Sequence, residues 1–262
     1  MLPPLTKRVA VLVGLLASGA VAVGLSAVTA CAQNTLPPGT IIPVRLNNSI
    51  SSNKVKPGQT FSARIMQNVP LPDRGIIRSG SRVVGHVVDV SAPTGTSGAR
   101  VSLKIDSLVV SHRTIPIRVS LRAIASLMEV EAAMVPLEGA DRGTPPGAYV
   151  TTQVGGDVVY RGGGHVEREG VIVGEPVFDG VIAPASANPD GQCRADVDGN
   201  AAPQAMWVFS SDACGVYGYS EIKIVEAGRT SAEGTFVIAA ESGQFDLRAG
   251  SGLLLRVNST AH

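Results

Sequence analysis

The chain has 262 residues, 44% hydrophobic but only 4% aromatic, with 22 basic against 21 acidic side chains and a formal charge of +1. So even a balance argues against a nucleic-acid footprint, and so few aromatics argue against a lipid-facing barrel, which carries aromatic girdles at both interfaces. The length is ample for one large or two small domains with real cores, so no covalent staple is required for stability.

Residues 1–32 have the layout of an export signal. Lys7 and Arg8 stand in front, an apolar run extends from Val9 to Ala30, and small residues follow. Ala30-Cys31-Ala32 offers a small-x-small cleavage site, whereas Val28-Thr29-Ala30-Cys31 resembles a lipoprotein box in which Cys31 is the lipidation candidate. Pro37, Pro38 and Gly39 announce structure only a few residues later, leaving little tether, which favours soluble cleavage. A third reading keeps the segment as an anchor, but Gly14, Gly19, Gly24, Ser18 and Ser26 make it a weak span. Losing Lys7 and Arg8 with no acid turns the formal charge to −1. Setting Cys31 aside leaves two thiols, Cys193 and Cys214, expected to pair in an oxidising space.

From Gly39 onward apolar residues recur at every second position, the period of half-buried strands. Strands are expected over 40–47, 60–69 and 81–90. Val101, Leu103 and Ile105 then alternate with Ser102, Lys104 and Asp106, and Ile115, Ile117, Val119 and Leu121 alternate with Pro116, Arg118, Ser120 and Arg122. The Arg113-Thr114 region between these two runs reads as a short hairpin connection. Leu121, Ile124, Leu127, Met128, Met134 and Val135 sit near helical spacing, and Pro136 stops that run, predicting one short packing helix. Further strands are expected over 206–210, 220–226, 235–240 and 252–258. The fold class is thus all-β and mostly antiparallel, barrel- or sandwich-like.

Residues 137–205 are rich in glycine, proline, aspartate and asparagine and read as a long insertion. It either hides short strands, such as 171–173 and 177–182, or is a mobile binding segment. The organisation predicted is a signal segment over 1–32, the first part of a β-domain over 36–136, the insertion over 137–205, and completing strands over 206–258. Gly39-Thr40-Ile41-Ile42-Pro43-Val44-Arg45-Leu46-Asn47 lines up without a gap with Gly250-Ser251-Gly252-Leu253-Leu254-Leu255-Arg256-Val257-Asn258, and Gly80-Ser81-Arg82-Val83-Val84 echoes its first part. Each is read as a turn glycine leading into a strand.

Over residues 36–124 the order of features resembles the C-terminal domain of the conjugal-transfer TrbI family, the pore component of type IV secretion systems. The residues that carry the likeness are Pro38 to Leu46, Phe61 to Val69, Ile76-Ile77-Arg78-Ser79-Gly80-Ser81-Arg82-Val83-Val84-Gly85, Arg100 to Val109 and Thr114 to Ile117. Arg248 to Val257 is similar, more weakly, to the family's last strand. The resemblance implies a twisted β-barrel domain and, as one functional alternative, an oligomeric pore or secretion-channel component.

A search for chemistry yields little. There is no Gly-x-Ser-x-Gly elbow and no His-Glu-x-x-His motif, and His86, His112, His165 and His262 are scattered. Asp196-Val197-Asp198-Gly199-Asn200 has alternating oxygens but Ala201 and Trp207 where an EF-hand needs glycine and glutamate, so it reads as a turn. Glycines 155–164 lack the Lys-Ser/Thr of a phosphate loop. Glu167 and Glu169, two apart, could share one face of a strand, and dispersed acids such as these leave an envelope hydrolase as a second functional alternative. Trp207, Phe209, Tyr217 and Tyr219 bracket Cys214 and are expected to form a packing cluster around a disulfide or a ligand wall.

No catalytic residue, metal or cofactor is expected. The leading expectation is a noncatalytic envelope protein, periplasmic or secreted, or else an outer-membrane lipoprotein. It would act through a β-domain on an envelope partner or on itself, without nucleic acid, and touch a membrane only through a lipid or an uncleaved signal.

Overall fold

The computed structural model describes residues 36–134, 149–156, 158–161, 165–168, 171–177, 180–193, 195–231 and 233–258. All lie within one compact unit, Asn34–His262.

The first part of the chain is a succession of strands: β1 (Ile41–Leu46), β2 (Ile50–Ser51), β3 (Thr60–Ile65), β4 (Val69–Pro70), β5 (Ile76–Ile77), β6 (Arg82–Ser91), β7 (Arg100–Val110), β8 (Arg113–Pro116) and β9 (Val119–Ala125). One helix, α1 (Leu127–Met134), follows. The middle of the chain supplies β10 (Tyr149–Thr152), β11 (Val158–Arg161), β12 (Val166–Arg168), β13 (Val171–Val177), β14 (Gly180–Ala185) and β15 (Asn200–Ala205). The last stretch holds β16 (Gly215–Tyr217), β17 (Ile222–Ile224), β18 (Thr235–Ala240), β19 (Asp246–Leu247) and β20 (Gly252–Val257).

Ten strands form the principal sheet in the order β16-β9-β20-β1-β3-β6-β7-β18-β17, with β8 also on β7. Every pairing is antiparallel except β16 with β9, which is parallel. The expected alternation is seen where one face meets the core: Val101, Leu103 and Ile105 are fully buried while Ser102, Lys104 and Asp106 face outward. The inward residues of β1, β3, β6, β7, β18 and β20 form one continuous core. Each large aliphatic side chain removed from water there contributes roughly 1.5–3 kcal/mol. The sheet coils until β18 approaches β9, but it does not close into a barrel, which leaves the sandwich-like alternative.

The sequence echo has a structural meaning. Gly39 and Gly250 both adopt positive φ (86° and 95°) in the third position of a four-residue turn, and the strands they introduce, β1 and β20, pair with each other. Gly39 N–H donates to Val257 O at 2.8 Å, and Val257 N–H returns a bond to Thr40 O at 2.9 Å. Gly250 and Ser251 clasp Leu46 in the same way, at 2.8 and 2.9 Å. The β3–β6 pair repeats the device at both of its ends. Gly58 and Gln59 clasp Val87, and Gly80 and Ser81 clasp Ile65. Four equivalent turns therefore fix the register of four adjacent strands, each turn closing on the end of the strand beside it. The Gly58 copy, Lys56-Pro57-Gly58-Gln59, does not stand out in sequence because it lacks the hydroxyl residue after glycine.

Several local expectations are corrected. The helix does not include Leu121 to Ala125, which form β9. All seven β9 residues are buried because a second layer covers its outer face, and a strand buried on both faces loses its alternation. The helix begins only after Ser126, whose Oγ accepts from Glu129 N–H at 3.3 Å as an N-cap. Ser120 and Arg122, expected to face outward, are 2% and 0% exposed. Residues 206–210 are not a strand: Trp207 has φ of 53° in a turn where Phe209 N–H donates to Met206 O. The insertion is not structureless, since β12-β13-β14-β15 form a four-stranded sheet and β10-β11 a hairpin.

Alanine at Gly80, where a Cβ meets nothing within 4 Å, is expected to cost only the left-handed backbone penalty of about 1–2 kcal/mol. At Gly250 the new Cβ would lie 2.6 Å from Leu127 Cδ1, and Gly250→Ala is expected to cost more. Urea midpoints of the two variants check this order, and equal losses would show that the contact with α1 relaxes freely.

Candidate functional site

β9 and β20 fall out of register between Leu254 and Leu255. Leu121 and Ala123 oppose these two neighbours, and Arg122 is the extra residue. The bulge turns Arg122 out of the sheet and into the overlying layer. There its guanidinium meets four backbone carbonyls: Nε donates to Ala213 O at 2.9 Å, Nη1 to Asp198 O at 3.0 Å, and Nη2 to Ser186 O at 2.6 Å and Ser211 O at 3.4 Å. Burial lowers its pKa to about 10, which leaves it cationic at neutral pH, with carbonyl dipoles in place of a carboxylate.

Cys214, next to Ala213, is bonded to Cys193 with the Cα atoms 5.5 Å apart, as the sequence led us to expect. The Tyr217 hydroxyl accepts from Cys214 N–H at 2.9 Å and donates to Cys214 O at 3.2 Å. Burial pushes the Tyr217 phenol above its ordinary pKa, so it stays a donor across the physiological range.

Amide side chains join the second layer to the sheet at three further points. Gln67 Nε2 donates to Val181 O at 3.1 Å while its Oε1 accepts from Trp207 N–H. Gln204 Oε1 accepts from Ile41 N–H at 3.0 Å, and Asn200 Nδ2 donates to Gly39 O. Around these bonds a second apolar core forms from β9, α1, β14 and Met206 to Phe209.

The four aromatic residues do not form one cluster around the disulfide. Trp207 and Phe209 pack edge to face, with centroids 6.4 Å apart, inside the second core, which Tyr217 borders. Tyr219 packs instead against the principal core, as does Cys193, and shares a hydrogen bond with Ser251 Oγ at 2.9 Å. Asp198 belongs to a network in which its carboxylate accepts from Thr230 Oγ1 and lies 3.7 Å from Arg256. Among the described residues no group of three or more His, Cys, Asp or Glu is placed to hold a metal. Glu167 lies in β12, while Cys31, Glu169, Gly162 to Gly164 and His262 lie outside the described residues.

The place where the sheet fails to close is a cleft. β16 covers only Ala123 to Ala125 of β9, and β17 covers only Ile238 to Ala240 of β18. The first halves of β9 and β18 therefore face each other without a shared ladder. The turn after β17 bridges them at one point, where Gly228 N–H donates to Leu121 O at 2.9 Å. What remains is a cavity of about 280 Å³, with Ser120 and Ser231 among its lining, Phe236 and Val237 along one wall, and Arg100, Glu226 and Arg229 from the exposed surface. Ser120 and Arg122 sit as charged or polar breaks in the apolar run from Val119 to Ala125. That is the sequence signal for a polar interior which the alternation rule conceals.

No family model, no curated protein and no solved structure matches the chain.

Replacing Arg122 by Met removes the side-chain donor of the Ala213, Asp198 and Ser186 carbonyls, while Ser211 O keeps its bond from Ser186 N–H at 2.9 Å, and is expected to destabilise the fold by about 3 kcal/mol or more. Lys, a point donor without the guanidinium fork, is expected to recover only part of this. Chemical denaturation orders wild type, Lys and Met, and a Met variant as stable as wild type would show that the carbonyls find other partners. The disulfide, closing a sequence separation of 21, is expected to contribute about 3 kcal/mol. Thermal melts with and without reductant, compared with Cys193→Ser/Cys214→Ser, measure it.

Proposed function

We propose that the chain is an exported, noncatalytic protein of the bacterial cell envelope that works as an interaction scaffold. The observation that carries this reading is the Cys193–Cys214 bond, which belongs to an oxidising compartment and accords with the signal-like segment over 1–32. The surface suited to the task is the small sheet built by the insertion, because exposed strand edges and inserted segments recruit partners. Among the described residues its outer strands β12 and β15 have one ladder partner each, and Ile172 of β13 is 56% exposed. Nearby chemistry favours a scaffold over a catalyst, for the most deeply buried cation among the described residues, Arg122, is committed to backbone carbonyls.

Cell fractionation with intact mass of the natively expressed chain tests this. The expected species is soluble in the periplasm or medium, begins at Gln33, and is two hydrogens lighter than its reduced form. A diacyl or triacyl adduct on Cys31 would place the same scaffold on a membrane. A reduced, unprocessed cytosolic chain, or a robust hydrolase activity of the purified protein, would overturn the proposal.

A further inference from the structure

The seam between β9 and β18 gathers polar groups that the fold itself leaves without partners. Ser120 is 2% exposed, and its Oγ has no hydrogen-bond partner. Ser231 Oγ is buried at the same cleft, also without one. Ser120 stands in register with Arg256 of β20, whose Nε is a third buried polar atom without a partner. Leaving such atoms unsatisfied costs free energy, and native structures keep few of them, so the two hydroxyls that line the cleft, Ser120 and Ser231, call for an explanation.

At the mouth stand Arg100 and Arg229, both exposed and lining the cavity. Among the described residues neither has an ion-pair partner. Two guanidiniums offer planar forked donors suited to an oxyanion, and the serine hydroxyls add donors that rotate to suit it. Glu226, also at the mouth, disfavours a doubly charged ligand. Val225 and Val237 supply an apolar wall, and about 280 Å³ admits only a small molecule.

We infer that the seam cleft binds a small monocarboxylate with a short apolar tail, its carboxylate held by Arg100, Arg229 and the Ser120 and Ser231 hydroxyls and its tail laid against Val237. This inference does not rest on where the protein is located or on what it scaffolds. The site is a consequence of the unclosed sheet: a barrel completed by pairing β9 with β18 would satisfy the edges and remove the cleft. Binding would bridge β9, β18 and the turn over 225–231, and so would stiffen the weakest seam of the principal sheet.

The probe is butyrate, titrated into the ¹⁵N-labelled full chain at constant ionic strength, with inorganic phosphate in a parallel titration. We expect saturable shifts confined to residues 119–121, 225–237 and Arg100 with butyrate, and weaker or no saturation with phosphate. Arg100→Gln/Arg229→Gln, at exposed positions where folding is not at stake, is expected to weaken butyrate by about tenfold or more. Ser231→Ala is expected to weaken it by a smaller factor with an unchanged melt. Absence of saturation with butyrate, saturation by phosphate alone, or butyrate binding that survives the double arginine variant would each overturn the assignment. None of these outcomes bears on processing, disulfide or fractionation, so the scaffold reading stands or falls separately.

Discussion

A single guanidinium ties the two layers of this protein together. Arg122 leaves the sheet at the one residue where β9 and β20 lose register, and its four bonds reach backbone carbonyls at residues 186, 198, 211 and 213. All four carbonyls lie in irregular chain, and among the described residues only Ser211 O has a backbone donor of its own, Ser186 N–H, so for the other three the arginine does what a neighbouring strand does for a sheet edge. The consequence spreads through Asp198. Its carbonyl accepts from Arg122, its N–H donates to Gly228 O at 2.9 Å, and its carboxylate holds Thr230 and faces Arg256. Cys214 follows directly on Ala213, so the disulfide anchors the same ring of loops from the other side. A buried charge is costly in isolation, and here the expense is offset by donating to several fixed dipoles at once.

The principal sheet has a complementary logic. Four turns of one kind clamp β1 to β20 and β3 to β6 at both ends, and these four strands are neighbours in the order β20-β1-β3-β6. Register is over-determined in that half and left to side-chain packing in the other, where β9, β16, β17 and β18 meet. The two outermost strands are only three residues long and are joined by a short link, Gly218 to Glu221. They pair inward and have no length left with which to pair with each other. An open seam is therefore what this distribution of turns and strand lengths produces.

How much of this could be read in the sequence depended on whether a residue faced one environment or two. Strands with one face on the core and one in water, such as β6 and β7, announced themselves by alternation, and three of the four glycine turns by their echo. β9 did not, because a second layer buries its outer face and makes Leu121 and Ile124 resemble a helical stripe. The insertion was opaque for a related reason. Its strands are held by few apolar side chains and by amides such as Gln67 and Gln204, whose partners are 114 and 163 residues away. Pairing of Cys193 with Cys214 was legible because composition left few alternatives. The four aromatics were legible only as buried groups, since nothing in their spacing tells that Trp207 and Tyr219 belong to different cores.

The same constraint that hid Arg122 made the cleft. Along β9 the outward positions carry Ser120 and Arg122 where a strand facing a purely apolar layer would carry aliphatic residues. Arg122 finds its carbonyls because the overlying loops reach it, whereas Ser120, two residues earlier, lies beyond those loops and opposite the free half of β18. Ala at the position would keep the volume nearly unchanged and remove an orphaned hydroxyl, a change that cores tolerate well. A polar side chain retained at 2% exposure, beside two cations without carboxylate partners among the described residues, is more economically understood as part of a binding surface than as part of the core. On that view the sheet is left open where the protein has something to hold, and the four clasped turns supply the rigidity that lets the other half remain unclosed.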